Sequence, residues 1–418
     1  MKAVILGNGP AGVIAAETLR AAAPQAEISL VGCEGEPPYS RMAIPYLLMG
    51  NIDEAGTHLR KDTGHFNQLR VQEISGKAVA VDTAGNHVKL DNGQQLAYDQ
   101  LLICTGSHPL RPPIAGMDLP QVHTCWTLAD ARRISQSLQK GTRVLQIGAG
   151  FIGCIIMESL ASRGVQLTVV EMGDRMVPRM MTAGAGKMIR QWVEQKGVRV
   201  LNSVKVDKLE KAADGSLLAQ LSNGEKLACD QVIASAGVKP NIDFLQGSGV
   251  KMGQGIQVNE RMQSNVANVY AAGDVAEALE FDTGQPLVNA IQPNAAEQAR
   301  IAALNMAGHS TTSQGSLAIN VLDTMGLISS SFGQWQGDAN GGHGVERTDA
   351  EKMRYISLQF KANRLIGATA IGLTQHVGAL RGLIQGRIPL GAWEQRLEEN
   401  PLRFYEAYIA ITQPVSLH

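Results

Sequence analysis

An apolar β run that feeds directly into G-x-G-x-x-G occurs twice in this chain, first from Met1 to Gly12 and again from Arg143 to Gly153. Each copy demands glycines for separate physical reasons. In the first, Gly7 permits the tight turn, Gly9 lets backbone N–H groups approach a pyrophosphate, and Gly12 lets the next helix pack on the strand. Pro10 and Ala11 fill the helix's opening turn, where unpaired N–H groups and the positive dipole end face a phosphate. A lone motif is weak, because an ordinary βαβ turn can carry glycines by accident. Here each copy has a strand before it, a helix after it (Val13 to Ala23, and on to about Arg163) and an acid beyond a second β run. Those acids are Glu34, after Ala26 to Gly32, and Glu171, after Gln166 to Val170; each can accept hydrogen bonds from a ribose diol.

Two such sites imply two dinucleotides. The second comprises Gly148, Gly150, Phe151, Ile152, Gly153 and Glu171. Glu171 should bond a free ribose 2′-hydroxyl and repel a 2′-phosphate, which favours NAD(H) over NADP(H), with Arg175 close enough to soften that preference.

The order of the remaining segments indicates an internal duplication. Residues 70 to 105 alternate in β fashion with turns at Gly76, Ala84-Gly85 and Asn92-Gly93, and end in Ile103-Cys104-Thr105-Gly106. The second copy repeats the plan and exits at Ala236-Gly237, after a helix over Gly184 to Lys196 and strands over Val198 to Leu201 and Lys205 to Leu209. The first domain then resumes at Asn268 and ends a strand in Gly273-Asp274, followed by a helix from about Asn294 to Ala307. The fold expected is α/β, with two Rossmann-like three-layer ββα dinucleotide-binding domains, the second inserted in the first. A C-terminal α+β domain follows, with strands over Met353 to Phe360 and Leu365 to Ile371, a helix over Gln375 to Gln385, a mobile glycine-rich loop at Gly333 to Gly344, and one or two amphipathic helices over Trp393 to Ile411. The domains read as 1–110 with 241–312, 111–240, and 313–418.

Composition removes several classes of function. Among 418 residues, Lys+Arg number 37 against Asp+Glu 38, so no global basic field points to nucleic acid. No apolar stretch is long enough to span a bilayer. The start superficially suggests a signal peptide, but Gly7 and Pro10 interrupt it too early. The five cysteines, Cys33, Cys104, Cys125, Cys154 and Cys229, form no C-x-x-C and no ferredoxin-like run. Reduced, mostly buried thiols in a cytoplasmic protein are expected, with no redox disulfide and no resident cluster. His108, His123, His343 and His376 are scattered and read as structural or solvated, and no metal site is expected. Met176, Met180, Met181 and Met188 fall at roughly helical spacing and read as core.

Taken together, GNGPAG (Gly7 to Gly12), PPYSR (Pro37 to Arg41), CTGSHP (Cys104 to Pro109), GAGFIG (Gly148 to Gly153), SAGVKPN (Ser235 to Asn241) and AAGDV (Ala271 to Val275) resemble the FAD-dependent pyridine nucleotide-disulfide oxidoreductase superfamily. The resemblance covers essentially the whole chain and lies nearest to NADH-dependent reductases of rubredoxin, ferredoxin and nitrite-reductase type. It implies FAD on Gly7, Gly9, Pro10, Ala11, Gly12, Glu34, Arg41, Thr105, Gly106, Gly273 and Asp274. NAD(H) then occupies the second copy, with Gly237 added. It also implies that the helix after Asp274 faces a flavin pyrimidine oxygen.

The departures are informative. Disulfide-reducing and peroxide-reducing relatives place a catalytic cysteine where this chain has Met42, and a thioether cannot be a thiolate nucleophile. Other relatives carry a lysine at the position of Tyr46 and a glutamate at that of Ile155. A flavin edge lined by Met42, Pro45, Tyr46 and Ile155, more apolar than usual, is therefore expected; plain core filling explains Met42 and Ile155 equally well. Without a thiol the electron acceptor comes from outside, and the resemblance implies an iron–sulfur protein or subunit. The tail, with Gly386 to Trp393, faintly resembles NAD-reducing subunits of phenylglyoxylate dehydrogenase-like 2-oxoacid oxidoreductases, which implies a hetero-oligomeric complex. The rival readings are an NADH oxidase or disulfide/persulfide reductase, and a non-catalytic FAD-binding scaffold.

Overall fold

A computed structural model describes residues 1–413. Strand β1 (Lys2–Leu6) leads into helix α1 (Pro10–Ala22), β2 (Glu27–Gly32), β3 (Val71–Ser75) and β4 (Gln100–Ile103). The chain then gives β5 (Val122–Thr124), β6 (Arg143–Ile147), α2 (Phe151–Ala161), β7 (Gln166–Glu171), α3 (Ala183–Gln195), β8 (Arg199–Asn202) and β9 (Gln231–Ala234). It returns with β10 (Val269–Ala271) and α4 (Gln292–Met306).

Two compact units result, each built from separated stretches. The first is Met1–Leu47, Ile52–His108 and Val238–Leu317. Its parallel sheet runs β10-β4-β1-β2-β3. These strands are nearly continuous in Val, Ile and Leu because both faces are covered. Helices α1 and α4 pack together over one face. On the other lies an antiparallel meander (Ala78–Asp82, His87–Leu90, Gln95–Ala97), whose Val81, Val88 and Leu90 join the same core as Ile5, Leu30 and Leu102.

The second unit is Leu48–Asn51, Pro109–Gly237 and Ala318–His418. Its parallel sheet, ordered β8-β7-β6-β9-β5, repeats the first, with its own meander over Val206–Lys211, Leu217–Leu221 and Lys226–Cys229. The same unit contains a five-stranded antiparallel sheet of β11 (Ile319–Thr324), β12 (Leu327–Gly333), β13 (His343–Asp349), β14 (Arg354–Lys361) and β15 (Arg364–Ile371), ordered β11-β12-β15-β14-β13. Helices α5 (Gly378–Gln385), α6 (Trp393–Glu399) and α7 (Phe404–Thr412) complete the described tail. The Tyr355 hydroxyl meets Thr182 Oγ1 at 2.6 Å, and Trp192 Nε1 donates to the Met325 carbonyl at 3.0 Å, so this sheet is docked on α3.

Several expectations shift in detail. Helices α1, α3 and α4 begin earlier than the apolar pattern suggested, at Pro10, Ala183 and Gln292; in α1 and α4 a proline sits in the opening turn, where its missing N–H costs no bond. The apolar stretch after Ser40 forms a 3₁₀ turn at Arg41–Ala43 followed by a short helix, Ile44–Leu48. The segment around Gly333 to Gly344 is tied down at points: Gly337 N donates to the Gln334 carbonyl at 2.8 Å, and Lys361 pairs with Asp338 at 2.5 Å. Met176, Met181 and Met188 are buried as core residues, while Met180 is half-buried.

Candidate dinucleotide sites

In the first unit the anticipated residues gather at the carboxyl ends of β1, β2, β4 and β10, the place where doubly wound sheets bind ligands. Gly7 has φ +109°, and a Cβ there would lie 2.1 Å from the Cys104 carbonyl oxygen. A Cβ on Gly12 would lie 1.8 Å from the Gly7 oxygen, so the loop and α1 can close only on glycine. Gly9 differs: its φ of −75° and ψ of −171° suit any residue, and nothing in the chain lies within 4 Å of its Cβ position. Neither backbone nor neighbours require glycine there, and the space above it is open. Helix α1 has no side-chain cap, so its first N–H groups stay available to an anion.

Gly273 closes the other side of this cradle, with φ +82° and a Cβ position 3.4 Å from Ala11 and 3.5 Å from Ala295. Asp274 accepts a hydrogen bond from Ser107 Oγ at 2.9 Å. Burial pushes its carboxyl above the ordinary range, opposed by that bond and by the charge of Arg41. Thr105 Oγ1 donates to the Asn241 carbonyl at 2.9 Å, and Gly106 takes φ +65°. Helix α4 also lacks a side-chain cap, and at its start Asn294 is buried with its Nδ2 unpartnered among the described residues. Met42 and Tyr46 are 46% and 53% exposed while Pro45 is buried; Ile155 lies in the second unit, half-buried on α2.

The two acids are not equivalent. Leu6 pairs with Val31 and Ile147 with Val170, so the residue that matches Glu171 in register is Gly32, and Glu34 lies two positions further on. A Cβ on Gly32 would fall 2.4 Å from Asn8 Nδ2, so the asparagine side chain fills that space. Glu34 instead accepts from the Tyr39 hydroxyl and from Arg41 Nη2, both at 2.5 Å. Tyr39 therefore holds Glu34, a contact the motifs do not specify; the Pro37 to Arg41 run around it was the available signal.

In the second unit the geometry repeats around β6 and α2. Gly148 has φ +100° and a Cβ position 2.5 Å from the Ser235 oxygen; that of Gly153 is 2.4 Å from the Gly148 oxygen. Gly150, at φ −73° and ψ −170° with open space around its Cβ position, is the counterpart of Gly9. Phe151 and Ile152 open the uncapped α2, and Gly237 takes φ +109°. Glu171 accepts from the Ala149 and Gly173 N–H groups, each at 2.7 Å, and so is fixed at the mouth of the loop. Arg175, expected to temper its selectivity, has other partners: it pairs with Asp174 at 2.9 Å and donates from Nε to the Met181 carbonyl at 3.1 Å. Gln146 was missed entirely. Fully buried on β6, it donates from Nε2 to the Gly148 and Gly153 carbonyls at 2.9 and 3.1 Å, and an apolar-looking strand concealed it.

The family described as pyridine nucleotide-disulphide oxidoreductase matches residues 1–302. The chain belongs to this family. It is 31% identical over 404 residues to the NADH-dependent phenylglyoxylate dehydrogenase subunit epsilon of Aromatoleum evansii, covering 96% of this chain and 95% of that one. It is 30% identical over 393 residues to the ferredoxin–NAD(+) reductase component of the biphenyl dioxygenase system of Paraburkholderia xenovorans, covering 93% and 94%. Among solved structures, the covalent putidaredoxin reductase–putidaredoxin complex matches with a TM-score of 0.91 and 22% identity over 99% of both chains, a likeness of fold. Family membership makes this chain an oxidoreductase of FAD and NAD(H), and the two open, uncapped glycine cradles fit two dinucleotides.

One thiol braces a cradle: Cys154 Sγ donates to the Ala149 carbonyl at 3.5 Å. Cys104, Cys125, Cys154 and Cys229 are buried, and burial raises all four, the last three to about 12. Cys33 is exposed, and its thiol is also raised, by partial burial and by the neighbouring Glu34 charge. Alkylation of the native protein at neutral pH should therefore label Cys33 first and slowly, leaving the other four protected until unfolding. Fast labelling of any second thiol, read by peptide mass analysis, would contradict this. No described helix is long and apolar enough to cross a membrane.

Proposed function

We propose that this chain carries electrons between NAD(H) and an external iron–sulfur protein or subunit, with FAD in the Gly7 cradle and NAD(H) in the Gly148 cradle. The observation that carries the reading is Met42: the position after Arg41 holds a thioether, 46% exposed, where thiol-dependent relatives need a cysteine. The chemistry FAD supplies when bound is hydride exchange with nicotinamide and release of electrons one at a time. The protein's own share is to bind, orient and exclude. The α1 terminus and Gly9 receive a pyrophosphate, Arg41, Glu34 and Asp274 fix the remainder of that dinucleotide, and Glu171 selects the free ribose in the other. Near-attack placement of the two rings then accounts for the protein's part in the rate.

Similarity across nearly the full length of a phenylglyoxylate dehydrogenase subunit and of a ferredoxin–NAD(+) reductase component supports an iron–sulfur partner. It also supports the narrower reading of a subunit that delivers electrons to NAD+ within a 2-oxoacid oxidoreductase complex. Anaerobic stopped-flow mixing tests both halves. NADH should bleach the flavin, and a ferredoxin or rubredoxin should reoxidise it far faster than oxygen or coenzyme A disulfide does. Efficient turnover with the disulfide or with oxygen would overturn the external-acceptor reading, and no bleaching would overturn the enzyme itself.

A further inference from the structure

Outside both cradles, the antiparallel sheet of the second unit brings together an imidazole and two carboxylates. His343 opens β13, and Glu394 and Glu398 are one turn apart on α6. His343 Nε2 lies 2.6 Å from Glu398 Oε1 and 3.5 Å from Glu394 Oε1, and the three ligand atoms all fall within 4.8 Å of one another. Spacing of i and i+4 puts both carboxylates on one helix face.

The groups are held from behind. The His343 ring stacks on Phe360, centroids 5.3 Å apart at 25°. Glu394 Oε2 accepts from Asn363 Nδ2 at 2.5 Å. Asn363, in a left-handed turn at φ 56°, is itself anchored by the Gly391 N–H, which donates to its Oδ1 at 2.7 Å. Supported orientation of a ligating carboxylate is what a metal site requires. Among the described residues no lysine or arginine pairs with Glu394 or Glu398, so two negative charges face one imidazole without a fixed cation.

We propose that His343, Glu394 and Glu398 bind a divalent transition ion of the zinc class. One nitrogen and two carboxylate oxygens suit such an ion, whereas Mg²⁺ and Ca²⁺ avoid imidazole. The ion would staple α6 to β13, an edge strand exposed along most of its length. This revises the sequence expectation, which gave His343 no metal role and the chain no metal site; two glutamates more than fifty positions away gave no pattern to read.

The test uses the FAD-loaded full chain, stripped with chelator and titrated with ZnCl₂ by calorimetry and thermal melting. One high-affinity equivalent and a zinc-dependent rise in melting temperature are expected, neither of them reproduced by MgCl₂. His343→Gln with Glu398→Gln should abolish both while leaving flavin content and the zinc-free melting curve unchanged. Asn363→Gly, which keeps the left-handed turn, should weaken zinc binding by about 10-fold or more through loss of carboxylate orientation. No stoichiometric zinc in the wild type, or equal zinc binding in the double variant, would overturn the proposal. If the double variant fails to fold, unchanged affinity in Asn363→Gly together with unchanged affinity in His343→Gln overturns it instead.

Discussion

Valine at Gly150 is expected to leave a folded, FAD-bearing protein whose flavin NADH no longer reduces, and valine at Gly9 to leave a folded protein without FAD. The expectation follows from an unusual combination at these two positions. Both glycines sit in extended backbone open to any residue, and neither Cβ position has a neighbour within 4 Å. Both glycines are helix N-caps, where valine is less favourable, so the substitutions should cost the free protein about 1 kcal/mol each and leave it folded. What they obstruct is the approach of a pyrophosphate to the N–H groups of α1 or α2. Loss of those charge-assisted hydrogen bonds, together with a steric block, should weaken dinucleotide binding by 100-fold or more, since each bond to a charged group contributes about 1.5–3 kcal/mol. Flavin absorbance after gel filtration reads the Gly9 variant, and anaerobic NADH titration reads the Gly150 variant. Gly12→Val is the contrast: its Cβ would overlap the Gly7 carbonyl, so it should damage folding as well as binding. If valine at Gly9 retains full FAD, or valine at Gly150 retains normal reduction by NADH, the cradle assignment fails.

The glycine loops were readable because their demands are local: a turn, a close approach and a helix contact, each tied to one residue at fixed spacing. Repetition of the whole βαβ plan made the insertion readable too, since Thr105-Gly106 and Ala236-Gly237 end matching strands. Side-chain destinations were less accessible. Glu34 looked like the twin of Glu171 by distance along the chain, but strand register pairs Glu171 with Gly32, whose space Asn8 fills. Arg175 looked free to meet a phosphate, yet Asp174 and the Met181 carbonyl hold it. Gln146 alternates with apolar residues in a buried strand, and only the structure shows its amide propping the loop from beneath. In each case the deciding contact is made by a residue the motif does not specify, so spacing alone could not supply it.

Glu171 should carry most of the preference for NADH over NADPH. Its two oxygens are pinned by the Ala149 and Gly173 N–H groups, so the charge is held at the end of β7 where a ribose 2′-position would come. A 2′-phosphate brought there meets a fixed carboxylate, while Arg175 is paired with Asp174. Glu171→Ala removes both the acceptor for a 2′-hydroxyl and the repulsion, and should lower the NADH-to-NADPH ratio of kcat/KM by about 10- to 100-fold, the equivalent of about 1.5–3 kcal/mol. Loss of the two backbone bonds could loosen the loop for either dinucleotide, so Glu171→Gln serves as the separating variant. It keeps an acceptor for one of the N–H groups and for the ribose while removing the charge, and should relieve the penalty on NADPH more than it harms NADH. Adding Met172→Arg, at a side chain 76% exposed to solvent, supplies a guanidinium for the phosphate and should carry the ratio past unity toward NADPH. Flavin content should stay constant across the series, since the FAD cradle lies in the other unit. An unchanged ratio in both single variants would remove Glu171 from its assigned role, and a ratio that shifts only through loss of NADH turnover would identify it as a brace for the loop rather than a selector of the ribose.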